Sequence, residues 1–299
     1  MFFENWMSYI NDETAITRLA IPATHNSCTM GMNFLGRCQN DSVLNQYNHG
    51  IRKFGVFLNY TKGKVRAAHS VVSGIPGDEI FRDFGEIIRN HDDFLILNVR
   101  SYPDQKIGPY TYKCLCEPER IDELIEKYLE PEKYAFTNTD NLKNLTVGDI
   151  RKSGKRFIIN NERCDYKFSR DFKLKEPWDP KVFGYKPEKF TAVCLDYLRN
   201  EESDGFLTLQ TQLTPGPGTE NGITKWPKSL EKLMIPYFPK ILENLANEPA
   251  LVEKVNIISG DFMTDTQSKI NGILALNLLK GAVKEEMKKE YAEAIGFEK

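Results

Sequence analysis

The chain has 299 residues, with 40 lysines and arginines against 42 aspartates and glutamates, and a formal net charge of −2. That balance leaves no basic footprint for nucleic acid, and no run approaches the about 20 apolar residues that cross a bilayer. There is no long charge block and no low-complexity tract, and a chain of this length suits one large α/β domain as well as two small ones.

Residues 1–6 lack the basic start and clean apolar core of a signal peptide. Residues 3–10 are expected to form a short amphipathic helix, followed by a strand over 18–21 that Pro22 ends. His25 then stands on a loop just past that strand, among the small polar residues Thr24, Asn26 and Ser27. The place suits a working imidazole, although an ordinary loop histidine reads the same in isolation. Asp41 or Ser42 can cap a helix over 43–48 that Gly50 terminates. Residues 51–58 and 64–68 read as strands, the second ending at His69. From Asp78 onward, Ile80, Phe81, Phe84, Ile87 and Ile88 recur at helical spacing as far as Asn90.

The apolar run 94–99 is expected to be a strand covered on both faces. A helix over 121–129 and a strand over 156–159 follow. Residues 167–189 are rich in Lys, Asp and Pro without clear period and read as a long loop or an excursion. Strands are expected at 190–194, 206–209 and 255–259. Helices are expected at 229–246, 267–279 and 282–294, the last with a mixed-charge face of the solvated kind. Cysteines at 28, 38, 114, 116, 164 and 194 are too sparse for a disulfide scaffold. Cys114 and Cys116 have no second pair or histidine cluster near them in sequence, so zinc is not expected there. Sequons beginning at Asn40, Asn59 and Asn144 leave the compartment open.

Short apolar strands alternating with helices or loops argue for a parallel α/β sheet. At this length a (β/α) TIM-type barrel is preferred to an open doubly wound sheet, and neither a G-x-G-x-x-G nor a Walker-type loop is found. Barrel sites form at the C-terminal ends of strands. The polar residues expected there are His25, His69, Arg100, Asp196 and Asp261. Two histidines at one mouth suit general base and general acid work. Because a barrel closes last strand to first, Asp261 can reach His25, fix its tautomer and raise its basicity. Arg100 can hold an anion. Each residue alone reads equally well as a solvated strand end or a cap.

Together these segments carry a resemblance. Ile21-Pro22-Ala23-Thr24-His25-Asn26-Ser27 resembles the first histidine box of the phosphatidylinositol-specific phospholipase C (X-domain) family, which follows a tryptophan-bearing helix, here with Trp6. Gly36-Arg37-Cys38-Gln39-Asn40-Asp41-Ser42 is similar to the C-Q-N-x-S segment of the trypanosome glycosylphosphatidylinositol phospholipase C type. His49-Gly50-Ile51-Arg52 resembles the start of the family's second strand, and His69 falls where its second histidine is expected. Lys155-Arg156-Phe157-Ile158-Ile159, Gln210-Thr211-Gln212-Leu213-Thr214-Pro215 and Ser259-Gly260-Asp261-Phe262 resemble three later segments. Order and spacing agree over most of the chain.

The resemblance implies a single domain over 1–299, an irregular, incompletely closed TIM-type barrel of the PLC-like phosphodiesterases. It also implies a phosphoric diester hydrolase or lyase acting on phosphatidylinositol or a glycosylphosphatidylinositol through a cyclic inositol phosphate. His25 would be the base, His69 the acid and Asp261 the partner of His25, with Asn26, Arg100 and Asp196 contacting substrate. Metal-independent members carry an Asp and an Arg two residues apart on the second strand, and metal-dependent members carry Glu and Asp that bind calcium. Here those positions are Gly55 and Phe57. No cofactor is therefore expected: calcium needs several oxygen ligands, and Asn26 alone cannot supply them. Arg52 or Arg66 could replace the missing arginine.

The alternative is a catalytically impaired barrel kept as a lipid- or protein-binding module. A glycerophosphodiester or sphingomyelin-type site would need an acidic metal cluster near the first histidine, which the sequence lacks. Expected partners are an inositol phospholipid or glycosylphosphatidylinositol substrate and a membrane surface touched peripherally, with no nucleic acid and a monomeric chain. Trp226-Pro227 and Tyr237-Phe238-Pro239 are candidates for the membrane rim.

Overall fold

The computed structural model describes residues 1–138, 140–160, 166–170, 172, 174–177, 179–216, 219–222 and 224–297. The strands among them are β1 (Ile21–Thr24), β2 (Lys53–Thr61), β3 (Lys64–His69), β4 (Val72–Pro76), β5 (Leu95–Ser101), β6 (Gln105–Ile107), β7 (Tyr110–Tyr112), β8 (Phe157–Asn160), β9 (Leu174–Lys175), β10 (Phe206–Gln210) and β11 (Ile257–Gly260). Seven of these run parallel, side by side in the order β9-β10-β11-β1-β2-β5-β8. β1 and β11 are therefore neighbours, as barrel closure requires, and the loops after them emerge together. Strands β1, β5, β8 and β11 are buried throughout, which is the burial expected of parallel strands covered on both faces. The architecture is an α/β barrel of irregular, TIM-like type.

The helices cover this sheet with the faces their periodicity dictates. In Gly77–Asn90 the residues Ile80, Phe81, Phe84, Ile87 and Ile88 are buried, and the Phe84 ring meets Phe54 of β2 edge-on at 5.2 Å. Each such side chain contributes about 1.5–3 kcal/mol by leaving water. At the barrel's lower end, Trp6 donates its ring N–H to the Gly50 carbonyl at 2.9 Å. Gly50 sits at φ +108°, a conformation that suits glycine at a helix end. Ser42 caps the helix Val43–Asn48 as expected, its hydroxyl accepting from the Asn45 N–H.

Several expectations are corrected. Residues 3–10 form only a 3₁₀ turn over Trp6–Tyr9. Pro22 lies within β1 rather than ending it. Its carbonyl accepts from Arg52 just ahead of β2, so its missing N–H faces a neighbour whose ladder has only begun. Residues 190–194 belong to a helix, Pro187–Asn200, not to a strand. Proline starts this helix, and Phe190, Cys194, Leu195 and Leu198 bury one helical face. The stretch 167–189, expected as a long loop or an excursion, contains β9 and the short helix Pro180–Phe183. The helix expected at 229–246 is two helices, Pro227–Met234 and Phe238–Asn247. The helix expected from 282 begins only at Lys288–Ile295. Cys164 lies outside the described residues. No helix among the described residues is long and apolar enough to cross a membrane.

Candidate active site

At the C-terminal mouth of the sheet lies a cavity of about 310 Å³, lined in part by His25, Asn26, Lys53, Gly55, Phe57, His69, Arg100 and Glu176. His25 follows β1 and Asp261 follows β11, so the pairing of those strands brings the two together. His25 Nδ1 lies 2.8 Å from Asp261 Oδ1, with the carboxylate buried and the imidazole one-quarter exposed. Gln39 binds the two strand ends to each other. Its side-chain amide donates to the carbonyls of His25 at 2.8 Å and of Gly260 at 2.9 Å, and its oxygen accepts from Met263.

His69 arrives by a different route. β2 overruns its parallel neighbour β1, and its distal half pairs with antiparallel β3. That hairpin turns back at residues 62–63, so the end of β3 descends to the mouth and delivers His69 opposite His25. The ring centroids are 6.3 Å apart and nearly perpendicular. His69 Nδ1 lies 2.9 Å from the Gly36 carbonyl. A carbonyl only accepts, so Nδ1 carries hydrogen and Nε2 is the position that exchanges a proton.

Backbone strain marks the same three places. Among the described residues five non-glycine residues have positive φ, and three of them, Asn26 (+46°), Ser70 (+55°) and Phe262 (+49°), directly follow His25, His69 and Asp261. Such conformations cost about 1–3 kcal/mol each and persist where surrounding structure enforces them. Here each one turns the chain sharply just after a mouth-facing side chain.

Burial lowers the His25 pKa, but the facing Asp261 carboxylate outweighs it, and together with Cys38 pushes it up to about 9. The Asn26 amide nitrogen lies 3.2 Å from His25 Nε2, at the position a substrate hydroxyl would take to give up its proton. On the opposite wall Lys53, Arg100 and Asn98 converge on Glu176. Burial opposes ionisation of Glu176, yet the Lys53 and Arg100 cations hold its pKa below the ordinary glutamate value. Lys53 and Arg100 thus place two cationic groups on this wall of the cavity.

No family model and no curated protein sequence matches the chain. Among solved structures, the phosphatidylinositol-specific phospholipase C of Listeria monocytogenes superposes with a TM-score of 0.62 at 17% identity, covering 92% of this chain and 98% of that one. A double mutant of the Staphylococcus aureus phosphatidylinositol-specific phospholipase C gives 0.62 at 14% identity, over 88% of this chain and 92% of that one. A further S. aureus structure, described as concerning modulation of membrane binding, gives 0.59 at 15% over the same shares. The fold is that of the bacterial phosphatidylinositol-specific phospholipases C.

Within this phospholipase fold, the structure brings His25, Asn26, His69, Arg100 and Asp261 together. Asp196 is corrected: it lies on the outer face of the helix Pro187–Asn200, 62% exposed, paired with Arg199. Arg52 is not a substitute clamp either. It is buried beneath the sheet, bound to Asp93 and to the carbonyls of Phe3, Glu4, Tyr47 and Ile51. Arg66 is turned toward the Gly74 carbonyl in the β3–β4 hairpin.

Gly55 and Phe57 do face the cavity with Lys53, as alternation along β2 requires. The Phe57 ring leans over Gly55, 3.5 Å from where a Cβ would stand, and lies against Arg100. Among the described residues the mouth offers calcium no cage of oxygen ligands: Glu176 is bound by Lys53 and Arg100, and a hydrophobic ring stands at position 57.

Sequence reading missed Lys53 and Glu176. Lys53 shares a strand face with Gly55 and could have been found by stepping back two residues. Glu176 lies in the stretch without period and offered no such signal. The two segments expected at a membrane rim differ in exposure. Trp226 is exposed and meets the exposed Phe34 edge-on at 5.5 Å, with Leu35 exposed beside it. Phe238 is buried and Tyr237 donates to Glu188, so that second aromatic pair is not an exposed patch.

Proposed function

We propose that this protein is a metal-independent phosphodiesterase that cleaves inositol phospholipids or glycosylphosphatidylinositols, using one domain over 1–299. One observation carries the reading: two histidines face each other across a cavity that Lys53 and Arg100 also line, one of them backed by a buried carboxylate. His25 Nε2 removes the proton from an inositol hydroxyl, and that oxygen attacks the adjacent phosphorus. His69 Nε2 protonates the departing glycerol oxygen, leaving a cyclic inositol phosphate. Lys53 and Arg100 hold the phosphate and the ring hydroxyls from the opposite wall, doing the work of the missing arginine at position 57. The Phe34–Leu35–Trp226 patch rests against the membrane surface, where aromatic residues are favoured, and the chain acts as a peripheral monomer.

Phosphorus NMR of purified protein on phosphatidylinositol micelles with chelator present tests this. Inositol cyclic phosphate is the expected product. Phe57 supports a second reading, a barrel that binds phosphoinositides without turnover, because an uncharged ring stands where a clamp is expected. Vesicle binding with no product from folded protein would favour that second reading and overturn the first.

A further inference from the structure

Cys38 belongs to neither reading. It is fully buried, and its Sγ lies 3.7 Å from His69 Nδ1 and 3.7 Å from the Asn26 amide nitrogen. That nitrogen lies 3.2 Å from His25 Nε2, and His25, Cys38 and Asp261 offer ligand atoms all within 4.8 Å of one another. A tetrahedral zinc ion, with bonds of about 2.0 Å to nitrogen or oxygen and about 2.3 Å to sulfur, separates neighbouring N and O donors by about 3.3 Å and S and N donors by about 3.5 Å. The three edges just given, two at 3.7 Å and one at 3.2 Å, are close to those values. One thiolate with imidazoles and an amide oxygen is a borderline-soft donor set, which selects zinc-like cations over calcium or magnesium.

Two further features point to a cation. Asn26 is only 2% exposed, yet its Oδ1 has no hydrogen-bond partner. A half-turn of the carboxamide exchanges Oδ1 with Nδ2 and brings that oxygen between His25 Nε2 and Cys38 Sγ. Behind His25, Asp261 accepts from Nδ1, the outer carboxylate contact that metal-binding histidines usually make.

We propose that His25 Nε2, Asn26 Oδ1, Cys38 Sγ and His69 Nδ1 form a binding site for a borderline-soft divalent cation of the zinc class, and that its occupancy shuts down the histidine pair. Binding expels the Cys38 thiol proton, together with the His25 Nε2 proton where that ring is cationic. His69 moves its proton from Nδ1 to Nε2 and releases the Gly36 carbonyl. The base then has no free lone pair. The binding half of the proposal stands by itself, and the inhibitory half rests on the phosphodiesterase reading.

The test begins with cobalt(II) titrated into the metal-free full chain, read by absorption. A thiolate-to-cobalt charge-transfer band with tetrahedral visible bands is expected at one equivalent. Cys38→Ser should abolish the charge-transfer band, and His69→Ala, which leaves the thiol in place, should weaken binding by at least about tenfold. Cys114→Ser should change nothing, since a hydroxyl can keep the bond of Cys114 to the Pro103 carbonyl. No band in the parent, or a band that survives in folded Cys38→Ser, overturns the site. Zinc is then added to the phosphodiester assay. One equivalent should stop turnover, chelator should restore it, and Cys38→Ser should need at least about tenfold more zinc for the same fractional loss. Turnover indifferent to zinc overturns the inhibitory half. Absence of turnover under every condition counts against the phosphodiesterase reading, and the cobalt result still decides the site.

Discussion

His25 shows how one side chain's surroundings set its chemistry. Its partner Asp261 holds the ring in one tautomer and raises its pKa from 6.5 to about 9. A raised pKa means the folded state binds the proton more tightly. The stabilisation from this pair is therefore complete below pH 6.5 and is lost as pH rises through about 9. The base must be neutral and the acid His69 protonated, so kcat/KM should follow a bell-shaped pH profile with one limb at about 9. Nuclear magnetic resonance of the His25 ring should show the same midpoint, and Asp261→Asn should lower it. A midpoint that does not move in that variant would remove Asp261 from its role.

Lys53 makes the second prediction at this scale. Losing a preorganised charge from a developing anion costs about 2.7–4 kcal/mol, or 10²–10³ in rate. Lys53→Met should lower kcat by about that factor in a protein that still folds. Turnover unaffected by the change would leave the phosphate clamp unassigned.

At the scale of elements, the site depends on the overrun of β2 and the return of β3. Sequence periodicity located both strands, and the strand-end rule placed His25, His69, Arg100 and Asp261 at one mouth. The same rule misplaced Asp196, because Phe190, Thr191, Ala192, Val193 and Cys194 look β-prone in a short window. The longer window from Pro187 shows a helical face. Lys53 escaped notice because Arg52 beside it drew attention, and only the observed alternation separates them: Arg52 points beneath the sheet and Lys53 into the cavity. The loop before Gly36 presents Phe34 and Leu35 outward and the Gly36 carbonyl inward to His69. Replacing Phe34 and Trp226 with alanine should weaken binding to phosphatidylinositol vesicles several-fold. Cleavage of a soluble, short-chain substrate should be little changed. A sedimentation assay beside a turnover assay separates the two effects, and equal vesicle binding would remove the rim from the membrane.

For the whole molecule, the fold was largely legible because apolar runs and helical periods are local signals. Barrel closure is not local: it appears as the β1–β11 ladder and could be expected only from strand count and family likeness. What stabilises the lower end was less legible. Arg52 read as a candidate for the site, yet with Asp93 it ties the residues before β1 to the start of β2 and β5. Removing one member of a buried ion pair costs about 3–5 kcal/mol, so Arg52→Met should lower the urea midpoint by a corresponding amount. A midpoint within error of the parent would contradict this account of the barrel floor.

The central claim assigns proton removal to His25 and proton delivery to His69, and a change of leaving group tests that most directly. Turnover of the parent, His25→Ala and His69→Ala would be measured, with chelator present, on two soluble inositol phosphodiesters, one with an alkyl and one with a nitrophenyl leaving group. A nitrophenolate departs without a proton. His69→Ala should therefore fail on the alkyl ester and recover most of its rate on the nitrophenyl ester, whereas His25→Ala should fail on both. Equal losses for His69→Ala on the two esters, or no turnover by the parent on either, would contradict the account.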